Sequence, residues 1–210
     1  MADALDFAVR TPSHFSNQSA QRGLDLGCAV GRSTFEMSKN CAEVIGIDFS
    51  HAFIAAADQL RARQSVAYSR RDEAHLQTPL TAKIPDGFFP ENVSFHQGDA
   101  MDLSADLGTF DRIHAANLLC RLTDPIKLLD RLPSLMNAGG QLILATPCTW
   151  LEQFTPPQNW PDADTLSWLK NHLGKNFRLL LERDEPFLIR ETARKFQWTR
   201  SQLTLWERVS

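Results

Sequence analysis

The sequence predicts an α/β fold: a doubly wound, mostly parallel sheet closed at one edge by an antiparallel C-terminal hairpin. Three observations predict it. Short apolar runs alternate with helix-length runs from Gly23 to Ala145. The first apolar run ends in a Gly-rich turn that opens straight into a helical stretch, and the second ends in an acid. After Phe177 the apolar runs follow one another with no long helix between the last two, which suits antiparallel pairing.

The elements follow in order. Gly23-Leu24-Asp25-Leu26-Gly27 reads as a buried strand and Gly31 to Asn40 as a helix. Val44 to Asp48 is the second strand, and Ser50 is an N-cap for a helix running to about Arg63. Val93 to Gln97 and Phe110 to Ala116 are the third and fourth strands. Asp124 caps a helix from Pro125 to about Leu135, with Pro133 kinking or shortening its last turn and Gly139-Gly140 beyond its end. Gln141 to Ala145 is the fifth strand, and the tail adds Phe177 to Leu181, Phe187 to Ile189 and Gln202 to Trp206. Residues 66–91 are too long for an ordinary connection and read as a hairpin or surface insertion.

Two hundred and ten residues suit a single domain over 1–210. Lys plus Arg number 22 against 25 Asp plus Glu, a net charge of −3, which excludes a surface built for phosphate backbones and predicts no nucleic-acid partner. No apolar run approaches the roughly 20 residues needed to span a bilayer, and Met1 to Arg10 carries no secretory signal pattern. The expectation is a cytoplasmic protein with no membrane partner. Four cysteines without a C-x-x-C pair and six scattered histidines predict no metal site.

The chemistry is concentrated at the strand ends. In Asp25-Leu26-Gly27-Cys28-Ala29-Val30-Gly31-Arg32, Gly27 and Gly31 let the backbone turn tightly and approach a ligand. Ala29 and Arg32 occupy the second and third glycine positions of the G-x-G-x-x-G fingerprint, so a nicotinamide dinucleotide is disfavoured. Asp25 suits a ligand that carries positive charge at that point. Asp48 can accept from both hydroxyls of an unphosphorylated ribose, and Asp99, after Gly98, stands where an adenine amino group can donate.

With these motifs in place, the sequence resembles the class I S-adenosylmethionine-dependent methyltransferases through Gly23 to Pro147. The resemblance rests on D-L-G-C-x-x-G at 25–31, the acid Asp48, Gly98-Asp99-Ala100 and the strand at Phe110-Asp111. It implies a Rossmann-like, seven-stranded sheet and S-adenosylmethionine as cofactor, leaving as S-adenosylhomocysteine. The cofactor residues it implies are Asp25, Gly27, Cys28, Gly31, Asp48, Phe49, Asp99, Ala100 and Asn117. Ala29, commonly glycine in that class, narrows the space beside the ligand.

Downstream the resemblance narrows. Asp6-Phe7-Ala8-Val9-Arg10, Ala115-Ala116-Asn117-Leu118, the stretch Thr146 to Pro156 with Asn159-Trp160, and Pro186 to Thr192 with Lys195-Phe196-Gln197 look like the C-terminal methyltransferase domain of ovothiol synthases. That family methylates an imidazole nitrogen of 5-thiohistidine, so the implied partner is a small histidine-derived substrate or its selenium relative. A free-standing enzyme, with no iron-dependent sulfoxide synthase segment before the domain, is the expectation. The ring thiolate makes the imidazole nitrogen electron-rich, so alignment and desolvation carry most of the rate. The implied acceptor residues are Asn117 for orientation, Trp150 as a wall beside Trp160, Glu152 for the substrate ammonium and Arg190 for its carboxylate. His114 reads as a satisfied core residue before it reads as a base. The alternatives are methylation of another small molecule and a non-catalytic cofactor-binding module.

Overall fold

The computed structural model describes residues 2–84 and 86–209. Its strands are β1 (Ala20–Leu26), β2 (Cys41–Asp48), β3 (Ser65–Glu73), β4 (Leu76–Lys83), β5 (Val93–Gln97), β6 (Phe110–Ala116), β7 (Met136–Thr146), β8 (Phe177–Arg190) and β9 (Phe196–Arg208). Seven of them form one sheet in the order β5-β2-β1-β6-β7-β9-β8. All pairings are parallel except β7–β9 and β8–β9. This is a Rossmann-like sheet with an antiparallel C-terminal pair. β3 and β4 form a separate antiparallel hairpin within the 66–91 region.

The helices are α1 (Phe7–Arg10), α2 (Arg32–Met37), α3 (His51–Arg63), α4 (Pro125–Leu135) and α5 (Thr165–Leu173). Each faces the sheet for a readable reason. Leu128, Leu129, Leu132 and Leu135 of α4 are buried at helical spacing and pack with α5 on Leu24, Leu26, Leu142 and Trp206. On the opposite face Phe35 of α2 with Ile54 and Ala57 of α3 meets Ile143 and Leu205. Alternation puts Leu24 and Leu26 of β1 on the first face and Asp25 on the second, so the central strand is buried on both sides. Ser50 caps α3, its hydroxyl accepting from Phe53 N at 3.3 Å.

Several expectations change. The Asp124 side chain makes no capping hydrogen bond, so α4 starts on Pro125 alone. The Gln141 strand begins at Met136, which pairs with Phe110; a register shift before Gln141 takes up the extra residues, with Gly139 inside it at a positive φ of 76°. β8 runs through the polar residues 182–185 and Pro186, joining two expected strands into one. α5 was not anticipated; Asp164 caps it by accepting from Ser167 N at 3.0 Å, and Trp168, Leu169 and Leu173 bury its inner face.

Register carries the fold toward function. β9 pairs with β7 only as far as Gln202 against Thr146, and residues 196–201 continue paired to β8 alone. The β8–β9 hairpin therefore projects past the carboxyl edge of the sheet by roughly 20 Å.

Candidate active site

The β1–α2 turn is built on three left-handed residues, Gly27 at φ 69°, Ala29 at φ 48° and Gly31 at φ 86°. A Cβ on Gly31 would lie 2.4 Å from Cζ of Phe95, so glycine is required there by both conformation and space. Gly31→Ala is expected to destabilise the fold by about 2–4 kcal/mol in urea unfolding, the sum of left-handed strain and overpacking. Ala29 accepts strain of roughly 1–2 kcal/mol. Its N–H donates to Asp48 Oδ2 at 2.9 Å, which offsets part of that cost and ties the turn to the end of β2.

The other oxygen of Asp48 accepts from Ser50 N at 2.9 Å. Each oxygen keeps a further lone pair, so the carboxylate can still receive hydroxyl donors. Phe49, 72% exposed, stands next to it as an unpartnered aromatic face. Asp99 caps the turn after β5 by accepting from Met101 N at 2.8 Å, and Ala100 is buried behind it.

Asp25 is the hub of the second sheet face. It is 1% exposed; Oδ1 meets His114 Nδ1 at 2.8 Å, while Oδ2 accepts from Ser33 Oγ at 2.8 Å and Thr34 Oγ1 at 2.7 Å. The opposite nitrogen of His114 meets Thr11 Oγ1 at 2.9 Å. His114 is thus a satisfied buried group with both nitrogens engaged. Asp25 lines the cavity, but three protein groups hold its oxygens, which corrects the picture of a carboxylate free for a cationic ligand. Burial, with Asp25 and Asp48 close by, pushes the Cys28 thiol far up, so Cys28 stays neutral. The cavity, of about 200 Å³, lies between this turn, the end of β6 and an N-terminal segment that supplies Phe7, Ala8 and Thr11.

A family model described as "Methyltransferase domain" matches residues 1–206. The chain belongs to the methyltransferase domain family. It is 29% identical over 139 residues to a tRNA U34 carboxymethyltransferase of Idiomarina loihiensis, covering 65% of this chain and 36% of that protein. It is 26% identical over 147 residues to the chloroplastic tocopherol O-methyltransferase of Arabidopsis thaliana, covering 70% and 35%. The chain thus spans about a third of the length of these curated relatives. The crystal structure of the N-methyltransferase NodS from Bradyrhizobium japonicum WM9 superposes with a TM-score of 0.65 at 17% identity, over 99% of both chains. The same enzyme is known in complex with S-adenosyl-L-homocysteine.

The fold is that of an S-adenosylmethionine-dependent methyltransferase, and the strand ends suit its cofactor. Along the carboxyl edge β5, β2, β1 and β6 present Asp99, Asp48, the turn at Gly27 and Asn117 side by side. Asn117 takes a left-handed φ of 56°, and its Oδ1 accepts from Ser201 Oγ at 2.7 Å. Sequence reasoning missed Phe7, Thr11 and Ser201 as site residues, since only long-range contacts bring them there, and Ser33, which the first turn of α2 carries to Asp25.

The expected acceptor residues divide. Trp150 and Trp160 line one cavity of about 390 Å³ with Cys148, Asp164, Thr165 and Gln202. The Trp150 indole donates to Thr165 Oγ1 at 3.0 Å and stands edge-on to Trp168, and that of Trp160 donates to Thr155 O at 2.7 Å. Glu152 lies exposed in the loop before Phe154, and Arg190 lies at the tip of the β8–β9 hairpin. Arg190 donates to Thr192 O and Ala193 O, both at 3.1 Å, and covers the Phe196 ring. Neither Glu152 nor Arg190 lines the two cavities, so the geometry does not assemble them into one ammonium–carboxylate clamp. No group of three or more His, Cys, Asp or Glu among the described residues is placed to hold a metal ion. No helix among them is long and apolar enough to cross a membrane.

Proposed function

We propose that this methyltransferase domain transfers a methyl group from S-adenosylmethionine to an imidazole ring nitrogen of 5-thiohistidine, or of its selenium analogue. The observation that carries the reading is the segment from Thr146 to Glu152. The stretch that resembles the ovothiol synthase domain also builds the Trp150–Trp160 cavity, beside the strand ends that flank Asn117. Two indoles about a cavity of about 390 Å³ suit a flat, electron-rich ring.

When bound, S-adenosylmethionine supplies an electrophilic methyl on a sulfonium. Asp48 holds the ribose hydroxyls through its free lone pairs, and Phe49, Asp99 and the Ala100 amide receive the adenine. Gly27, Cys28 and Gly31 shape the seat of the methionine end, and Asp25 keeps that seat rigid through His114, Ser33 and Thr34. Asn117, fixed by Ser201, orients the acceptor or the methionine amine by hydrogen bonds. Trp150 and Trp160 strip water from the ring and hold its plane. No protein base is required, because the thiolate already raises the nucleophilicity of the ring nitrogen.

Trp150→Ala should raise the acceptor KM about 10- to 100-fold with cofactor affinity unchanged, the scale of a lost aromatic stack together with the apolar area it buries. Arg190→Ala should leave that KM within about threefold, since its donors are spent on its own turn. Steady-state kinetics on both variants check the pair. Mass analysis of products from 5-thiohistidine, 5-selenohistidine and their trimethylated betaines tests the function itself. A product heavier by one methylene from the first two supports it. Turnover confined to unrelated acceptors, or tight cofactor binding without any turnover, defeats it.

A further inference from the structure

We infer that Glu185 is a positioning residue that seals the N-terminal segment over the cofactor cavity and couples that seal to Asn117. Glu185 lies on the projecting part of β8 and is 1% exposed. Two side chains of the N-terminal segment reach it, Arg10 Nε at 3.2 Å and His14 Nε2 at 2.7 Å. A third, Arg183 Nε at 2.8 Å, comes from its own strand. Arg10 also donates to Pro186 O, and the Phe7 and Phe187 rings stand 5.1 Å apart. A carboxylate so enclosed is costly to bury without partners, and the two contacts from the N-terminal segment form and break with that segment's docking.

What the segment covers gives the latch its consequence. Phe7, Ala8 and Thr11 form one wall of the cavity at the β1–α2 turn, and Thr11 closes the chain through His114 to Asp25. The cross-strand partner of Glu185 is Ser201, whose hydroxyl donates to Asn117 Oδ1. One rung of the β8–β9 hairpin therefore holds the cap on one strand and the amide at the end of β6 on the other. Opening the cap frees the seat of the cofactor's methionine end and loosens the rung that fixes Asn117.

The inference rests on the cofactor lying at the β1–α2 turn and is independent of which acceptor is methylated. Hydrogen exchange with and without S-adenosylhomocysteine, read together with its association and dissociation rates, tests it on the full chain. In the wild type the ligand should protect the β1–α2 turn and residues 4–15 together. Glu185→Gln and the double variant Arg10→Gln/His14→Gln should speed dissociation about 10-fold, with the association rate unchanged or higher. Both should expose residues 4–15 to exchange while β1, β2 and β6 stay protected. The cofactor KM should rise more than kcat falls. Arg183→Gln, which removes one cation but leaves both cap contacts, should stay within about twofold of wild type. Protection of residues 4–15 and dissociation rates equal to wild type in both latch variants would overturn the latch. A wild type whose β1–α2 turn gains no protection from the ligand would instead overturn the cofactor's placement.

Discussion

Asp25→Ala is expected to destabilise the fold by about 3–5 kcal/mol, the scale for removing one partner of a buried charged network. The carboxylate is 1% exposed and holds His114, Ser33 and Thr34. Its loss leaves His114, Ser33 and Thr34 without the carboxylate they share. Asp25→Asn should cost less, about 2 kcal/mol, because one oxygen remains and the amide opposes only part of the donor set. Urea unfolding with an unchanged m-value checks both. A loss below about 1 kcal/mol in the alanine variant would mean that the hub does not hold the face together.

Asp48→Ala is expected to act on affinity more than on stability. The carboxylate joins Ala29 N to Ser50 N at the rim and keeps lone pairs for a ribose. Removing it should weaken S-adenosylhomocysteine binding by about 1.5–3 kcal/mol, or roughly 10- to 150-fold. Calorimetry checks this, and an unchanged affinity would remove Asp48 from the cofactor's site. The two acids sit one strand apart, in register with Gly46 and just past Ile47, yet their variants should separate. Asp25 is spent inside the protein, and Asp48 faces outward.

What was legible in the sequence was local. Asp48 ends its strand, and the β1–α2 turn and Asp99 follow theirs by one or two residues, so strand patterning and turn chemistry place them together at one edge. Ser50 was legible as a cap for the same reason, since its partner is Phe53. Glu185 was not, because its cap partner Arg10 lies 175 residues away. The polar stretch around Glu185 reads as a break in a strand, when it is a strand whose acid is neutralised from outside the sheet. α5 went unread because Asp164 follows a proline-rich loop, although its cap and the apolar Trp168, Leu169 and Leu173 carried the signal. The place of Arg190, outside both cavities, was not legible for a related reason. A hairpin tip is placed by the length of its arm past the sheet, and that length depends on where β9 leaves β7.

The acceptor is the centre of the account, and the position of the new methyl group tests it most directly. Turnover of 5-thiohistidine with S-adenosylmethionine carrying a ¹³C-labelled methyl, followed by NMR of the product, reads that position. Transfer to a ring nitrogen gives a methyl carbon correlated through nitrogen to the imidazole ring, with the ring thiol still titratable. A methyl on sulfur, or no labelled product from an enzyme that binds S-adenosylhomocysteine normally, would contradict it.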